Sequence, residues 1–285
     1  MKIAGFGPSK FLVLFVLMLF LGACNPKKTS PVTTGSATNQ KPQSSIVANG
    51  PIQADGSSPA NVLIKLYDNA GNPQGGTIPL FSATDTGGTN VYGPCQVTPL
   101  LGVFACTMTS TKAEVKQLKV TYPQSVTGGN VTFHAADADS ANSTITGTEP
   151  VQADGVAVSF IAITLKDAAL NPLVGKTPTF MATNTGGTNV YGSCSASDAA
   201  GQSVCTLSSL VAEDKTLQLV DPVSVVGDTL TFTAGAAVPA NSTIFGTGPV
   251  VANGVATSTI TITMRDAGFN PVPGIAPSFG ATNTG

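Results

Sequence analysis

The chain copies itself at a spacing of 99 residues, without insertion or deletion, and that period constrains its fold more than any other feature. Asp68, Asp167 and Asp266 correspond, as do Asn72, Asn171 and Asn270, each followed by proline, and Phe81, Phe180 and Phe279. The first copy runs over residues 46–144 and the second over 145–243, while a third begins at 244 and reaches less than halfway by residue 285. A unit of this length exceeds the 20–50 residues of a solenoid repeat, which must stack on its neighbours to bury a core. It matches a self-sufficient β-sandwich of roughly 100 residues.

Alternation within the repeats points to strands. In the stretch 257–264 the apolar Ile260, Ile262 and Met264 share one face while threonine lines the other, because successive side chains on a strand point to opposite sides. The same inward positions are Val62, Ile64 and Leu66 in the first copy, and Ile161, Ile163 and Leu165 in the second. Later in each copy Leu118 and Val120 correspond to Leu217 and Leu219, and Val131 and Phe133 to Leu230 and Phe232, with Thr132 and Thr231 facing out. No convincing helical period follows the first 24 residues. Only 10% of residues are charged, and 31 glycines and 20 prolines punctuate the chain, which favours many short strands and turns. Asp55-Gly56, Asp154-Gly155 and Asn253-Gly254 predict tight hairpin-type turns, where glycine supplies a positive φ. The expected class is all-β, built of tandem sandwiches.

The second copy contains Ala153-Asp154-Gly155, then Ile163-Thr164-Leu165-Lys166-Asp167-Ala168, then Asn171-Pro172 and Gly175. This string resembles the bacterial Ig-like domains of the invasin and intimin type, and the resemblance covers both full copies and the partial third. It implies tandem immunoglobulin-like sandwiches on a bacterial surface, commonly serving as stalks or adhesive modules. The special terminal domain on which adhesion in that family usually depends is not visible in the sequence.

The N-terminus predicts export. Lys2 and Lys10 precede an apolar run from Phe11 to Leu21, followed by the small Gly22 and Ala23, the layout of a secretory signal too short for a spanning helix. Leu21-Gly22-Ala23-Cys24 also resembles the bacterial lipobox, which implies a signal peptide over residues 1–23 and a lipid on Cys24. A multiply acylated cysteine holds a protein on a membrane persistently. Residues 24–45 are polar and proline-rich, without apolar periodicity; such a segment cannot offset its ordering entropy by burial and reads as a disordered tether. The expected location is the bacterial cell envelope, outer-membrane-anchored and either surface-exposed or facing the periplasm.

Four further cysteines form two pairs with the same ten-residue gap, Cys95 with Cys106 and Cys194 with Cys205. Setting Cys24 aside leaves an even number in an exported chain, the arithmetic of disulfides. Asp198 and Gly201 flank the midpoint of the second pair and suit the ends of a type I turn, so the two cysteines would face each other across a hairpin. Zinc sites take four ligands in closer pairs, and redox pairs favour C-x-x-C. The expectation is one disulfide per complete copy, contributing somewhat under ~3 kcal/mol for so short a loop.

Catalytic and ligand-binding patterns are sparse. His134 is the only imidazole, is replaced by Thr233 in the second copy, and is expected to point outward. Asp68, Asp167 and Asp266 lack the spacing of a calcium loop and predict an Asx turn before each Asn-Pro. Asp137 and Asp139 become Ala236 and Val238 in the second copy and read as a solvated loop. Tyr92 and Tyr191 recur in Thr-Asn-Val-Tyr-Gly and predict a turn anchor; Phe160 falls on a threonine-bearing face. Neither a phosphate loop nor a nucleophile elbow is present, so neither enzyme activity, metal nor cofactor is expected. With 13 basic and 15 acidic residues, the chain lacks the basic footprint of nucleic-acid binding.

These readings predict a surface lipoprotein whose Ig-like units form a stalk or adhesive module. Its partners would be the membrane, through Cys24, and a protein or polysaccharide surface ligand. The alternative is the non-catalytic carrier of an enzyme or carbohydrate-binding module encoded beyond residue 285, suggested by the early stop of the third copy.

Overall fold

A computed structural model describes residues 40–186 and 188–282, and all regular structure among them is strand. The first repeat contributes β1 (Ser45–Ala48), β2 (Ile52–Gln53), β3 (Ala60–Lys65), β4 (Leu80–Ala83), β5 (Asn90–Tyr92), β6 (Gln96–Val97), β7 (Val103–Ser110), β8 (Val115–Tyr122) and β9 (Val126–His134). They form one sheet in the order β1-β3-β7-β5, with β6 also on β7, and a second in the order β2-β9-β8-β4. The second repeat contributes β10 (Thr144–Gly147), β11 (Val151–Gln152), β12 (Ser159–Thr164), β13 (Thr179–Ala182), β14 (Asn189–Tyr191), β15 (Gln202–Ser209), β16 (Asp214–Asp221) and β17 (Val225–Thr233). Its sheets run β10-β12-β15-β14 and β11-β17-β16-β13, the same topology again.

The alternation read from the sequence builds both cores. In the first, Ile46, Val62, Ile64, Leu66, Phe104 and Met108 meet Leu118, Val120, Val131 and Phe133 of the facing sheet. Ile145, Ile161, Ile163, Leu165 and Leu207 meet Leu217, Leu219, Leu230 and Phe232 in the second. Each such side chain stabilises by about 1.5–3 kcal/mol when fully buried, which outweighs the modest strand propensity of any one residue. The remaining described residues of the third repeat form a two-stranded sheet, β18 (Thr243–Gly246) with β19 (Ile260–Thr263). No second sheet covers it among the described residues, so Phe245 and Phe279 stay exposed.

The Asp-Gly turns differ from expectation. Asp55-Gly56 joins β2 to β3, which belong to different sheets, so the chain crosses the sandwich there instead of making a hairpin. The local chemistry still holds: Asp55 Oδ1 accepts from the amides of Ser57 (2.8 Å) and Ser58 (2.6 Å), and Gly56 has a φ of 75°. Crossing one strand earlier, the chain leaves β1 for β2 through a cis Gly50-Pro51 bond, matched by cis Glu149-Pro150 and Gly248-Pro249. At Gly128 and Gly227 the opening residues of β9 and β17 pass so close to the other sheet that a Cβ would lie 2.4 Å from the carbonyl oxygen of Ile46 or Ile145. Only glycine fits there.

Candidate functional site

The recurring Asp-x-x-x-Asn-Pro segment follows the strand that carries Val62, Ile64 and Leu66 or their counterparts. In each copy the Asp amide donates to the Asn carbonyl, at 2.9 Å for Asp68, 3.0 Å for Asp167 and 3.0 Å for Asp266. One carboxylate oxygen then accepts from the amides two and four residues on: Ala70 and Asn72 (both 2.8 Å), Ala169 and Asn171 (2.9 and 2.8 Å), Gly268 and Asn270 (2.9 and 2.8 Å). This is the expected Asx turn, and it needs nothing outside its own loop.

In the second and third repeats the same corner also reaches back into the preceding sandwich. Asp167 Oδ2 accepts from the amide of Ala136 at 2.9 Å. Asn171 acts as a two-way clasp: its Oδ1 accepts from the amide of Ala113 at 2.8 Å, and its Nδ2 donates to the carbonyl of Thr111 at 2.9 Å. The next joint repeats this arrangement. Asp266 Oδ2 accepts from Gly235 at 2.8 Å, Asn270 Oδ1 accepts from Ala212 at 2.8 Å, and Asn270 Nδ2 donates to Leu210 at 2.9 Å. The connecting segment is tied in as well, since the side-chain amides of Asn142 and Asn241 donate to the carbonyls of Asp167 (3.0 Å) and Asp266 (2.7 Å).

Burial gives these bonds their weight. Asp167 and Asn171 are each 1% exposed, and a polar group buried that deeply costs about 1–3 kcal/mol if left unpaired. Burial pushes the Asp266 carboxyl toward its neutral form, but hydrogen bonds from the Asn270 side chain and the amides of Gly235, Asn270 and Gly268 outweigh it and hold the pKa below the ordinary carboxylate value. The arrangement bonds each sandwich to the next through buried side chains.

Two solved structures share this architecture. Yersinia pseudotuberculosis InvD aligns over 80% of this chain and 72% of its own, with 22% identity and a TM-score of 0.56. The Escherichia coli adhesin FdeC aligns over 86% and 82%, with 23% identity and a TM-score of 0.60. The fold is the one these two structures share, a tandem of Ig-like β-sandwiches. No protein-family model and no curated protein matches the sequence.

The other residues singled out by sequence take up positions around these Ig-like units. The Tyr92 hydroxyl accepts from the amide of Ala83 at 3.0 Å and its ring meets Phe81 edge-on at 5.1 Å. Tyr191 does the same with Ala182 (3.2 Å) and Phe180 (5.3 Å). Since β4 and β5 lie in different sheets, each tyrosine ties the two sheets together, a wider role than anchoring a turn. Asp139 is likewise more than a solvated residue: its Oδ1 caps the connecting turn by accepting from Ala141 (3.0 Å) and Asn142 (3.1 Å). Asp137 and His134 are exposed and line a cleft beside the first joint with Gln53, Pro172 and Lys176. Phe160 is 56% exposed on the outer face of its sheet. The sulfurs of Cys95 and Cys106 lie 1.99 Å apart, and those of Cys194 and Cys205 1.95 Å apart. Cys24 lies outside the described residues. No group of three or more metal-ligating side chains gathers among the described residues.

Sequence reasoning had placed Asp167 and Asp266 in their turns but missed the part Asn171 and Asn270 play across the joints. The recurrence of Asn before proline at 99-residue spacing was the one available signal. Their partners, being main-chain groups, left none.

Proposed function

We propose that this chain is the stalk portion of an envelope-anchored surface protein, in which Ig-like units are clasped end to end into a semi-rigid rod. The observation that supports this reading is the joint made twice with the same bonds, by Asp167 and Asn171 and again by Asp266 and Asn270. A freely jointed linker has no use for buried side chains that bridge domains, whereas a spacer needs a reproducible angle at every joint. The similar structure FdeC is an adhesin, which supports an adhesive or stalk role at a bacterial surface and a protein or polysaccharide ligand as the partner of this chain. In this reading residues 1–23 direct export, Cys24 carries the lipid, residues 24–45 form the tether, 46–144 and 145–243 are successive Ig-like units, and 244–285 is part of a third. Each of the two complete units carries one disulfide, Cys95–Cys106 and Cys194–Cys205.

Small-angle scattering of the exported protein tests the rod. The expected result is one maximum dimension that lengthens in proportion to the units present, with the distribution broadening when Asn171 and Asn270 are both changed to alanine. Two independently tumbling bodies in the unaltered protein would refute it. Metabolic labelling with a palmitate analogue should mark the protein and lose the mark in Cys24→Ser. Mass spectrometry finding free thiols at Cys95 or Cys194 after native export would remove the disulfides from the scheme.

A further inference from the structure

Each complete sandwich contains a buried lysine that neither the core nor the joint explains. The Lys116 side chain on β8 is 0% exposed, and an ammonium in such a place is costly unless paired. It meets two carboxyl groups. Asp85 Oδ1, in the loop between β4 and β5, lies 3.2 Å from Nζ, and Glu114 hydrogen-bonds to the same Nζ. The carbonyl of Thr84 accepts from it at 3.3 Å. The second repeat rebuilds the cluster. Lys215 is again 0% exposed, pairs with Glu213, donates to the carbonyl of Thr183 at 3.5 Å, and stands 5.8 Å from the centre of the Phe232 ring. At the position equivalent to Asp85 the second repeat has Asn184.

A buried amine held within hydrogen-bonding reach of an acyl acceptor and a second carboxyl group supplies the components of side-chain amide formation. We propose that Lys116 and Asp85 join in an intramolecular isopeptide bond, with Glu114 as the proton carrier, and that Lys215 and Asn184 do the same beside Glu213. The resting pair is ionic, so the first event is transfer of a proton from Lys116 Nζ to Glu114 across their shared hydrogen bond. The freed amine attacks Asp85 Cγ. The amides of Gly87 and Gly88 point at Asp85 Oδ1 from 3.4 and 3.0 Å, where they stabilise the oxygen that gains charge. Two of the three ammonium protons, relayed by Glu114, leave with one Asp85 oxygen as water, and the third remains on the new amide. Charge balances, since one ammonium and one carboxylate become a neutral amide and Glu114 ends as it began. With Asn184 as acceptor, the two protons join the departing NH₂ group, which leaves as ammonium. The change from Asp to Asn between repeats therefore alters the leaving group and preserves the product.

Two physical terms favour the bond. Fixed neighbours react at effective concentrations far above any free solute, and a neutral amide removes the desolvation penalty that the buried ammonium carries. The product would tie the loop after β4 to the centre of its sheet by a covalent link.

The test is the intact mass of the full exported chain after disulfide reduction, followed by peptide mapping. The expected mass is lower than that of the processed sequence by one water and one ammonia, with branched peptides joining Lys116 to Asp85 and Lys215 to Asn184. Glu114→Gln should restore the water and Glu213→Gln the ammonia, each with an unchanged β-sheet circular dichroism spectrum. A native chain at its full unmodified mass, or a mass loss mapped to succinimides elsewhere, would overturn the proposal.

Discussion

Asp68 and Asp167 occupy the same corner of consecutive repeats and hold the same turn, yet their surroundings differ. Asn72 is exposed and donates only to Asp68 within its own loop, at 3.0 Å, whereas Asn171 is 1% exposed and bonded to two main-chain groups of the preceding sandwich. Before the first corner stand Lys41, whose ammonium donates to the carbonyl of Asn69 at 3.5 Å, and Ser44, which exchanges hydrogen bonds with the main chain of Tyr67. One motif thus performs two tasks. The turn is intrinsic to the residues, and the clasp exists only where another Ig-like unit comes before it.

The sharpest way to break this comparison is to remove the carboxylates. Asp167→Ala takes the acceptor from the amides of Ala136, Ala169 and Asn171, the last of them buried, and is expected to cost about 3 kcal/mol, whereas Asp68→Ala should cost distinctly less. Equal losses in urea unfolding would mean that the joint adds nothing. Asn171→Ala, which keeps the turn carboxylate, is expected to cost about 2 kcal/mol and to accelerate hydrogen exchange at the amide of Ala113. Asn72→Ala should stay within roughly 0.5 kcal/mol, the usual range for a surface change.

Acid provides a milder probe. The Asp266 and Asp68 carboxyls both have folded-state pKa values below those of the unfolded chain, Asp266 through the bonds that outweigh its burial, and Asp68 through the amide and then the side chain of Asn72. A depressed folded-state pKa contributes stability that is present above the unfolded value, about 3.9 for Asp, and is lost as pH falls through the folded value. Acidification through that window should therefore raise exchange at the Gly235 amide across the second joint, while at Asp68 it should loosen only the amides of Ala70 and Asn72. Protection of Gly235 that does not change with pH would contradict its bond to Asp266. Tyr92→Phe and Tyr191→Phe should each cost less than about 0.5–1 kcal/mol. The two losses should match in thermal unfolding, because these ties lie within a repeat and do not depend on a neighbour.

The strands and their inward faces were legible because period-2 alternation and threonine-lined outer faces are written in consecutive residues. The turns at Asp55 and Asp154 were legible as turns, but not as crossings between sheets, since a local Asx-Gly signal does not carry the identity of the next strand's partner. The same limit applied to Tyr92, whose hydroxyl reaches a strand of the other sheet, and to Lys116, whose acceptor Asp85 lies 31 residues away.

By itself the sequence determined the 99-residue period, the all-β class, the apolar face of each strand and the Asx turn at every Asp-x-x-x-Asn-Pro, because each rests on side-chain chemistry between near neighbours. What Asp167 and Asn171 hold was decided only in the tertiary structure. Their partners are N–H and C=O groups at Thr111, Ala113 and Ala136, which almost every residue type carries, so no side-chain pattern marks them and only the packing of one sandwich on the next brings them within reach.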